Sequence, residues 1–164
     1  MQLIIAILIL IWMLACIRVV PVNQVYIIEK AGVYKCVWKS GVHIKAFPSE
    51  KIVKKIYLGS QTNTRVFSHI ATKDRKNISG DISIVSVIND PKVFYYCSKN
   101  PYETIFMILQ ESMKNIISKY SFEELRKQNT QIEQRIMENI NIKIPKQCGA
   151  MITRVAIGEI RENG

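Results

Sequence analysis

The sequence predicts an α+β domain that follows an N-terminal apolar segment, and three observations support this fold class. Residues 1–17 contain no charged side chain, which is typical of a membrane-embedded segment. Residues 22–88 contain short runs of β-branched and aromatic residues separated by turn signals such as Lys39-Ser40-Gly41, and such runs indicate strands. From Tyr102 onward the apolar residues recur at spacings of three and four, which indicates amphipathic helices.

The apolar segment is predicted to be a transmembrane anchor over residues 1–20. A helix of the uncharged residues alone reaches about 25 Å, and Arg18, Val19 and Val20 extend it to the roughly twenty residues that span a bilayer. A core helix would need a polar face, and a cleaved signal would need basic residues before its apolar run, and the segment has neither. The side chains predicted to lie in lipid are Leu3, Ile4, Ile5, Ile7, Leu8, Ile9, Leu10, Ile11, Trp12 and Leu14.

The charge distribution predicts an anionic lipid surface as a partner. The chain has a net charge of +10, and residues 18–55 hold eight basic residues against only Glu29 and Glu50. Basic residues beside a membrane segment are each worth roughly 1 kcal/mol near anionic lipid. Nucleic acid is disfavoured because no zinc-finger spacing, RNA-recognition aromatic motif or basic helical stripe is present. The cations predicted to lie at the membrane surface are Arg18, Lys51, Lys54 and Lys55. The apolar side chains expected to dip into the lipid interface beside the lysines are Val19, Val20, Val22, Val25 and Phe47.

The same charge bias predicts the orientation. Positive charge close to a membrane span stays on the cytoplasmic side, and all of it follows the apolar segment. We therefore expect a single-pass membrane protein with its N-terminus outside and its body on the cytoplasmic face. There the formal glycosylation acceptor Asn77-Ile78-Ser79 would stay unmodified.

The body is expected to hold six strands, then two helices and a closing strand. In residues 81–88 polar and apolar residues alternate, with Ile82, Ile84 and Ser86 on one face. Prolines at positions 91 and 101 each follow an N-cap residue, as at helix starts. The strands are predicted over residues 22–28, 33–38, 42–47, 52–58, 65–70 and 81–88, with the closing strand over residues 151–157.

The two long helices are predicted on either side of Tyr120. The apolar face of the first runs from Tyr102 to Tyr120, and Ser121 and Glu124 form a capping box that opens the second. Residues 146–149 are expected to end the second helix. Its inward side chains are predicted to be Leu125, Ile132, Ile136 and Ile140.

No residue pattern indicates catalysis, a metal or a cofactor, so we expect a protein that is not an enzyme. His43 and His69 are the only histidines, and neither lies in a motif with a nucleophile. There is no phosphate loop, HExxH motif or run of carboxylate ligands. His43 is predicted to order the hairpin turn that precedes it.

The cysteines are predicted to be free thiols in a reducing compartment. They are far apart and form no CxxC pair, so neither a zinc site nor a disulfide framework is expected. One of them ends the apolar segment and is a candidate for acylation. The four are Cys16, Cys36, Cys97 and Cys148.

Several short strings, in order, resemble the SPFH or band-7 family of stomatins, prohibitins and flotillins, and most closely its stomatin/slipin branch. The resemblance covers essentially the whole chain and implies an SPFH domain over residues 21–164, a mostly antiparallel sheet packed with two helices and a closing strand. The strings are Arg18-Val19-Val20-Pro21, residues 25–30, Gly32-Val33-Tyr34, Ser40-Gly41-Val42-His43, Phe47-Pro48, Thr72-Lys73-Asp74, residues 82–88, Asp90-Pro91, Ile152-Thr153-Arg154-Val155 and Gly158-Glu159-Ile160.

The resemblance implies a membrane-anchored, non-enzymatic scaffold that oligomerises and organises membrane microdomains and associated membrane proteins. One alternative is a regulatory subunit of a membrane protease or channel. Another is a truncated family member that co-assembles with a longer SPFH protein, because family members usually continue into a long coiled-coil helix and no heptad run is present here. The partners expected are an anionic lipid bilayer, further SPFH chains and a membrane protease or channel.

Overall fold

The computed structural model describes residues 2–46 and 48–163, without the side chains of residues 2, 3, 6, 8–10 and 163. The chain divides into two compact units, Met1–Gly59 and Ser60–Gly164, called here the N-terminal and C-terminal units. Helices and antiparallel sheets make up the fold. The α+β prediction is therefore confirmed.

The N-terminal unit holds one helix and five strands. Strands β1 and β4 pair with each other, and β2 pairs with β3 on one side and β5 on the other, all antiparallel. Ala31 and Gly32 link β2 to β3 with φ of 51° and 80°, the positive values that a two-residue hairpin turn requires. The elements are α1 (Gln2–Cys16), β1 (Ile17–Val20), β2 (Gln24–Lys30), β3 (Val33–Trp38), β4 (Gly41–Ile44) and β5 (Glu50–Tyr57).

The predicted helix over residues 1–20 is wrong at its C-terminal end. The helix stops at Cys16, and Ile17–Val20 is a strand that pairs with β4. Three of these four residues are β-branched and favour extended backbone, and pairing with β4 gives them ladder hydrogen bonds. Between residues 2 and 163, leaving aside residue 47, the structure contains no helix with both the length and the apolarity needed to cross a membrane.

A small apolar cluster forms part of the core of the N-terminal unit. It joins Val20 of β1, Tyr26 and Ile28 of β2 and Trp38 of β3, each at most 8% exposed, with Ile52 of β5 packed against it. Burial of side chains of this size is worth about 1.5–3 kcal/mol each. The cluster therefore ties β1 to the larger sheet.

The C-terminal unit holds a sheet of order β6-β7-β8, with β9 paired to the start of β7. In β7 the side chains of Ile82, Ile84 and Ser86 are all buried, so the predicted face is confirmed. The short strand β9 was not predicted. The elements are β6 (Gln61–Ala71), β7 (Asn77–Ile88), α2 (Pro91–Tyr96), α3 (Pro101–Ile117), α4 (Phe122–Lys127), α5 (Asn129–Cys148), β8 (Ala150–Ile157) and β9 (Arg161–Asn163).

Helices α3 and α5 contribute core side chains to this unit at every fourth position. Such a spacing places side chains on one helical face. Asn141 of α5 also braces β8, since its Nδ2 donates to the Ile152 carbonyl at 2.7 Å and its Oδ1 accepts from the Ile152 N–H at 2.9 Å. The core side chains, each at most 1% exposed, are Ile105, Leu109, Met113, Ile117, Ile132, Ile136, Ile140 and Ile144.

The predicted second helix is two helices. The capping box of Ser121 and Glu124 is confirmed and opens α4, but α4 ends at Lys127 and α5 begins at Asn129. Gln128 between them is non-helical, and Asn129 Nδ2 is held by the Ile157 carbonyl at 3.3 Å. Helix α5 then continues through residues 146–148 and ends at Cys148. Gly149 is its C-cap, with a φ of 62° that is left-handed and suits glycine.

Candidate membrane-facing surface

The side chains of α1 are apolar and exposed around the helix. At about 100° per residue, the exposed positions Ile4, Ile5 and Met13 lie on three different sides of it. A helix that is hydrophobic all round is stable only inside a protein core or a membrane. Of the predicted lipid-facing side chains, Ile4, Ile5, Ile7, Ile11, Trp12 and Leu14 are exposed, and those of Leu3, Leu8, Ile9 and Leu10 lie outside the described residues.

A second apolar surface follows α1 directly on the two-stranded sheet. Ile17 of β1 lies opposite Ile44 of β4, and Val19 lies opposite Val42. Opposed residues in an antiparallel pair share a face, and these four side chains, the apolar ladder, are 42–76% exposed. Solvent-exposed apolar rows mark contact sites with proteins or membranes.

The opposite face of the same sheet is packed. Val20 is buried, and the His43 ring stacks on that of Trp38 with centroids 4.9 Å apart. His43 Nε2–H donates to the Lys39 carbonyl at 2.7 Å across the hairpin turn. The prediction that His43 orders this turn is confirmed, and the packing leaves the apolar ladder as the outward face.

Two cations line a cavity of about 230 Å³ where α1 meets the sheet. The cavity is formed by Trp12, Ala15, Cys16, Arg18 and Lys45, and the Lys45 N–H donates to the Cys16 carbonyl at 2.8 Å. Cations beside the C-terminal end of a helix interact favourably with its dipole. They also provide charge for a lipid phosphate beside an apolar surface.

The remaining predicted membrane-surface lysines do not line this cavity. Lys51, Lys54 and Lys55 lie on β5, which pairs with β2. Neighbouring strand residues point to opposite faces, so Lys54 and Lys55 point apart. Lys55 Nζ lies 5.0 Å from the Tyr26 ring centroid, and Lys51 lies opposite Glu29 in the ladder. Among the four predicted cations, Arg18 alone lines the cavity beside α1.

The valines expected to dip into the lipid interface differ in their exposure. Val19 and Val22 are exposed, whereas Val20 and Val25 are buried and that expectation is wrong for them. Val20 packs in the Tyr26 cluster, so it is unable to reach a bilayer. Phe47, the fifth residue of this expectation, lies outside the described residues. Sequence reasoning missed Val42 and Ile44, although their alternation with His43 has the period of a half-exposed strand.

An ion pair between a buried carboxylate and a half-exposed lysine, also not predicted, fixes the chain that follows the apolar ladder. Glu50 is 3% exposed and forms a salt bridge with Lys35 of β3, and its Oε2 accepts the Ala46 N–H at 2.9 Å. The hydrogen bond from Lys35 is the main cause that lowers the pKa of Glu50 below its ordinary value. The pair holds the segment after β4 against β3, close in sequence to Lys45.

Residues with catalytic potential are dispersed. His69 lies at an irregularity in β6 with a φ of 56°, whereas His43 is engaged by Trp38 and the Lys39 carbonyl. Across the part of the chain that the structure describes, no group of three or more His, Cys, Asp or Glu side chains could hold a metal ion.

Comparison with known proteins adds one positive finding. The model of the SPFH domain / Band 7 family matches residues 18–163, which contain the apolar ladder except Ile17 and the C-terminal unit except Gly164. None of the curated proteins compared with the chain matches it.

Proposed function

The chain belongs to the SPFH domain / Band 7 family, and we propose that it is a membrane-anchored, non-enzymatic scaffold that self-associates and organises lipids and membrane proteins around it. SPFH domains are typical of membrane-associated scaffold proteins. The single observation that supports the membrane role here is that α1 continues directly into β1, the first strand of the apolar ladder, with Arg18 and Lys45 beside their junction.

In this proposal α1 inserts into the bilayer and the ladder rests in its interface. Fifteen helical residues reach about 22 Å, so crossing a layer of roughly 30 Å would require local thinning or snorkelling of flanking residues. The basic residues after the helix favour the orientation with the N-terminus outside and the body on the cytoplasmic face.

Confinement to a surface would support scaffolding. Chains held in two dimensions meet at high effective concentration, so weak lateral contacts between bodies suffice for assembly. Partners are then further copies or other SPFH chains, together with the membrane proteins that they enclose. A regulatory subunit of a membrane protease or channel would instead bind one protein through its body.

Vesicle flotation of full-length variants tests the ladder. Val42→Gln with Ile44→Gln should weaken binding at least tenfold, because each side chain loses part of an apolar transfer energy of about 1.5–3 kcal/mol. Val66→Gln is the matched control, since Val66 is an exposed strand valine of the C-terminal unit. Equal flotation of the double variant and the wild type would overturn the role of the ladder.

The same assay tests the cations. Arg18→Gln with Lys45→Gln should reduce the preference for vesicles containing phosphatidylserine over neutral ones, whereas Lys54→Gln with Lys55→Gln should reduce it less. These two lysines point to opposite faces, so they are unable to bind one bilayer surface together. A larger effect of the β5 pair would place the membrane contact on β5 instead.

Cross-linking in native membranes tests scaffolding. A series of self-linked species of increasing mass supports the scaffold. A single band that contains one other protein, without that series, supports the regulatory subunit.

Protease treatment of intact cells tests orientation. Digestion of the body by external protease would overturn the cytoplasmic placement. Protection of an N-terminal tag from the same protease would show that α1 enters the bilayer without crossing it.

A further inference from the structure

Two cysteines that are far apart in sequence meet in the C-terminal unit. Cys97 follows the last residue of α2, and Cys148 is the last residue of α5. Burial is the main cause that raises the pKa of the Cys148 thiol, and the neighbouring Cys97 thiol is the second cause. The Cys97 Sγ–H donates to the Phe94 carbonyl at 3.4 Å. Cys148 is fully buried and Cys97 is partly exposed, so one member of the pair is open to a small reagent.

The backbone around the pair holds both helix ends in place. The Gly149 carbonyl accepts the N–H groups of Asn89 and Asp90 at 3.0 and 2.9 Å. A Cβ built on Gly149 would lie 2.9 Å from the Phe94 nitrogen, so the end of α5 lies directly against α2. Cys97 is one turn after Val93, to whose carbonyl its N–H donates at 2.8 Å. The two thiols are therefore positioned by fixed elements.

We propose that Cys97 and Cys148 form a reversible disulfide when the protein meets a hydroperoxide, which covalently joins the C-terminal ends of α2 and α5. This modification site is independent of the membrane-facing surface. The other two cysteines belong to the N-terminal unit, Cys16 at the end of α1 and Cys36 in β3.

The chemistry starts at the more accessible sulfur. The Cys97 thiolate attacks one peroxide oxygen, the O–O bond breaks, and hydroxide leaves to give a sulfenic acid. Cys148 then loses its proton and attacks the Cys97 sulfur, and hydroxide leaves again. Overall two thiols and one hydrogen peroxide give one disulfide and two waters. Burial raises the pKa of the Cys148 thiol to about 11, which assigns it the second step and makes that step slow at neutral pH.

Peptide mapping of the full-length protein in mild detergent tests the proposal. After hydrogen peroxide treatment and alkylation of the remaining thiols, trypsin should release residues 93–99 linked to residues 147–154, and dithiothreitol should separate them. Cys16 and Cys36 should stay alkylatable. Recovery of these peptides unlinked, with Cys97 overoxidised or still alkylatable, would overturn the proposal.

Thermal unfolding provides a second measurement. A bond that fits the native contact restricts the unfolded chain, so the melting temperature should rise by roughly 5–10 °C on oxidation and return on reduction. Cys97→Ser should abolish the rise, whereas Cys36→Ser should retain it. No rise in the wild type, or an equal rise in Cys97→Ser, would contradict a native-state disulfide.

Discussion

The two units of the chain distribute their hydrophobic residues in opposite ways. Among the described residues, fourteen of the nineteen exposed large hydrophobic side chains lie in the N-terminal unit, whereas ten of the twelve largest fully buried ones lie in the C-terminal unit. Exposed apolar surface on this scale is stable only against another apolar phase. The comparison supports the proposal that the N-terminal unit contacts the membrane, and it places most of the largest fully buried side chains in the C-terminal unit.

The largest effect is expected in the core of the C-terminal unit. Ile136→Ala should lower the free energy of unfolding by about 2–5 kcal/mol, because it leaves a cavity at a position with no exposed surface. Urea unfolding of the full chain in mild detergent measures it. Ile142→Ala is the control on the same helix, exposed and expected to change stability by no more than about 0.5 kcal/mol. Similar losses for both variants would break the comparison.

The next effect is expected in α1, on membrane binding rather than on folding. Ile7→Lys places a charge in the apolar helix at a cost of about 2.5–3.5 kcal/mol in the membrane, so flotation affinity should fall on the order of 100-fold. Ile7→Leu should bind like the wild type, and urea unfolding of the C-terminal unit should be the same for both. Undiminished flotation of Ile7→Lys would show that α1 does not enter lipid.

The smallest effect is expected at the capping box of α4. Ser121→Ala should lower the free energy of unfolding by about 1 kcal/mol, because its hydroxyl accepts the Glu124 N–H at 3.4 Å and donates to Glu124 Oε2 at 3.0 Å. Ser118→Ala is the control, since Ser118 is exposed and its hydroxyl contacts only the Asn115 carbonyl among the bonds of its side chain that the structure describes. Equal stabilities of the two variants would contradict this prediction.

The capping box of Ser121 and Glu124 also predicts that the free energy of unfolding depends on pH. The hydrogen bond from the Ser121 N–H is the main cause that lowers the pKa of Glu124 below its ordinary 4.5, so its stabilisation is full above pH 4.5 and is lost as the pH falls through the lower folded-state pKa. The wild type should therefore lose stability as the pH falls below 4.5. Ser121→Ala keeps the N–H but lacks the hydroxyl, whose hydrogen bond is the second cause that lowers this pKa, so it should lose stability less steeply. Identical slopes in urea titrations at each pH would count against this role.

The regular parts of the fold could be predicted because their patterns are local. The alternation of Ile82, Ile84 and Ser86 and the spacing of Ile132, Ile136 and Ile140 each identify a buried face within one element. The break at Gln128 was missed because it depends on a tertiary bond, that of Asn129 to the Ile157 carbonyl. Strand β1 was missed for the same kind of reason, since only its pairing with β4 separates it from the apolar helix.

The sequence predicts that a membrane-facing surface is apolar and basic, but it does not identify which side chains belong to that surface. The apolar segment and Arg18 are visible as a run and a nearby charge. Which valines face outward depends on register, and a shift of one residue reverses every side chain, so Val20 was placed wrongly and Val42 was missed. The pairing of Cys97 with Cys148 depends on the contact between α2 and α5 and has no local signal.

Fluorescence of Trp12 tests the central claim, the insertion of α1 into lipid, most directly. Trp12 is exposed on α1, whereas Trp38 is buried against His43, so full-length Trp38→Phe leaves a single reporter on the helix. When the Trp38→Phe protein is reconstituted into vesicles with brominated acyl chains, its Trp12 emission should be blue-shifted and quenched by the bromines. The emission of Trp38 in Trp12→Phe should be quenched far less. Water-like emission from Trp12, quenched by iodide and untouched by the bromines, would contradict the claim.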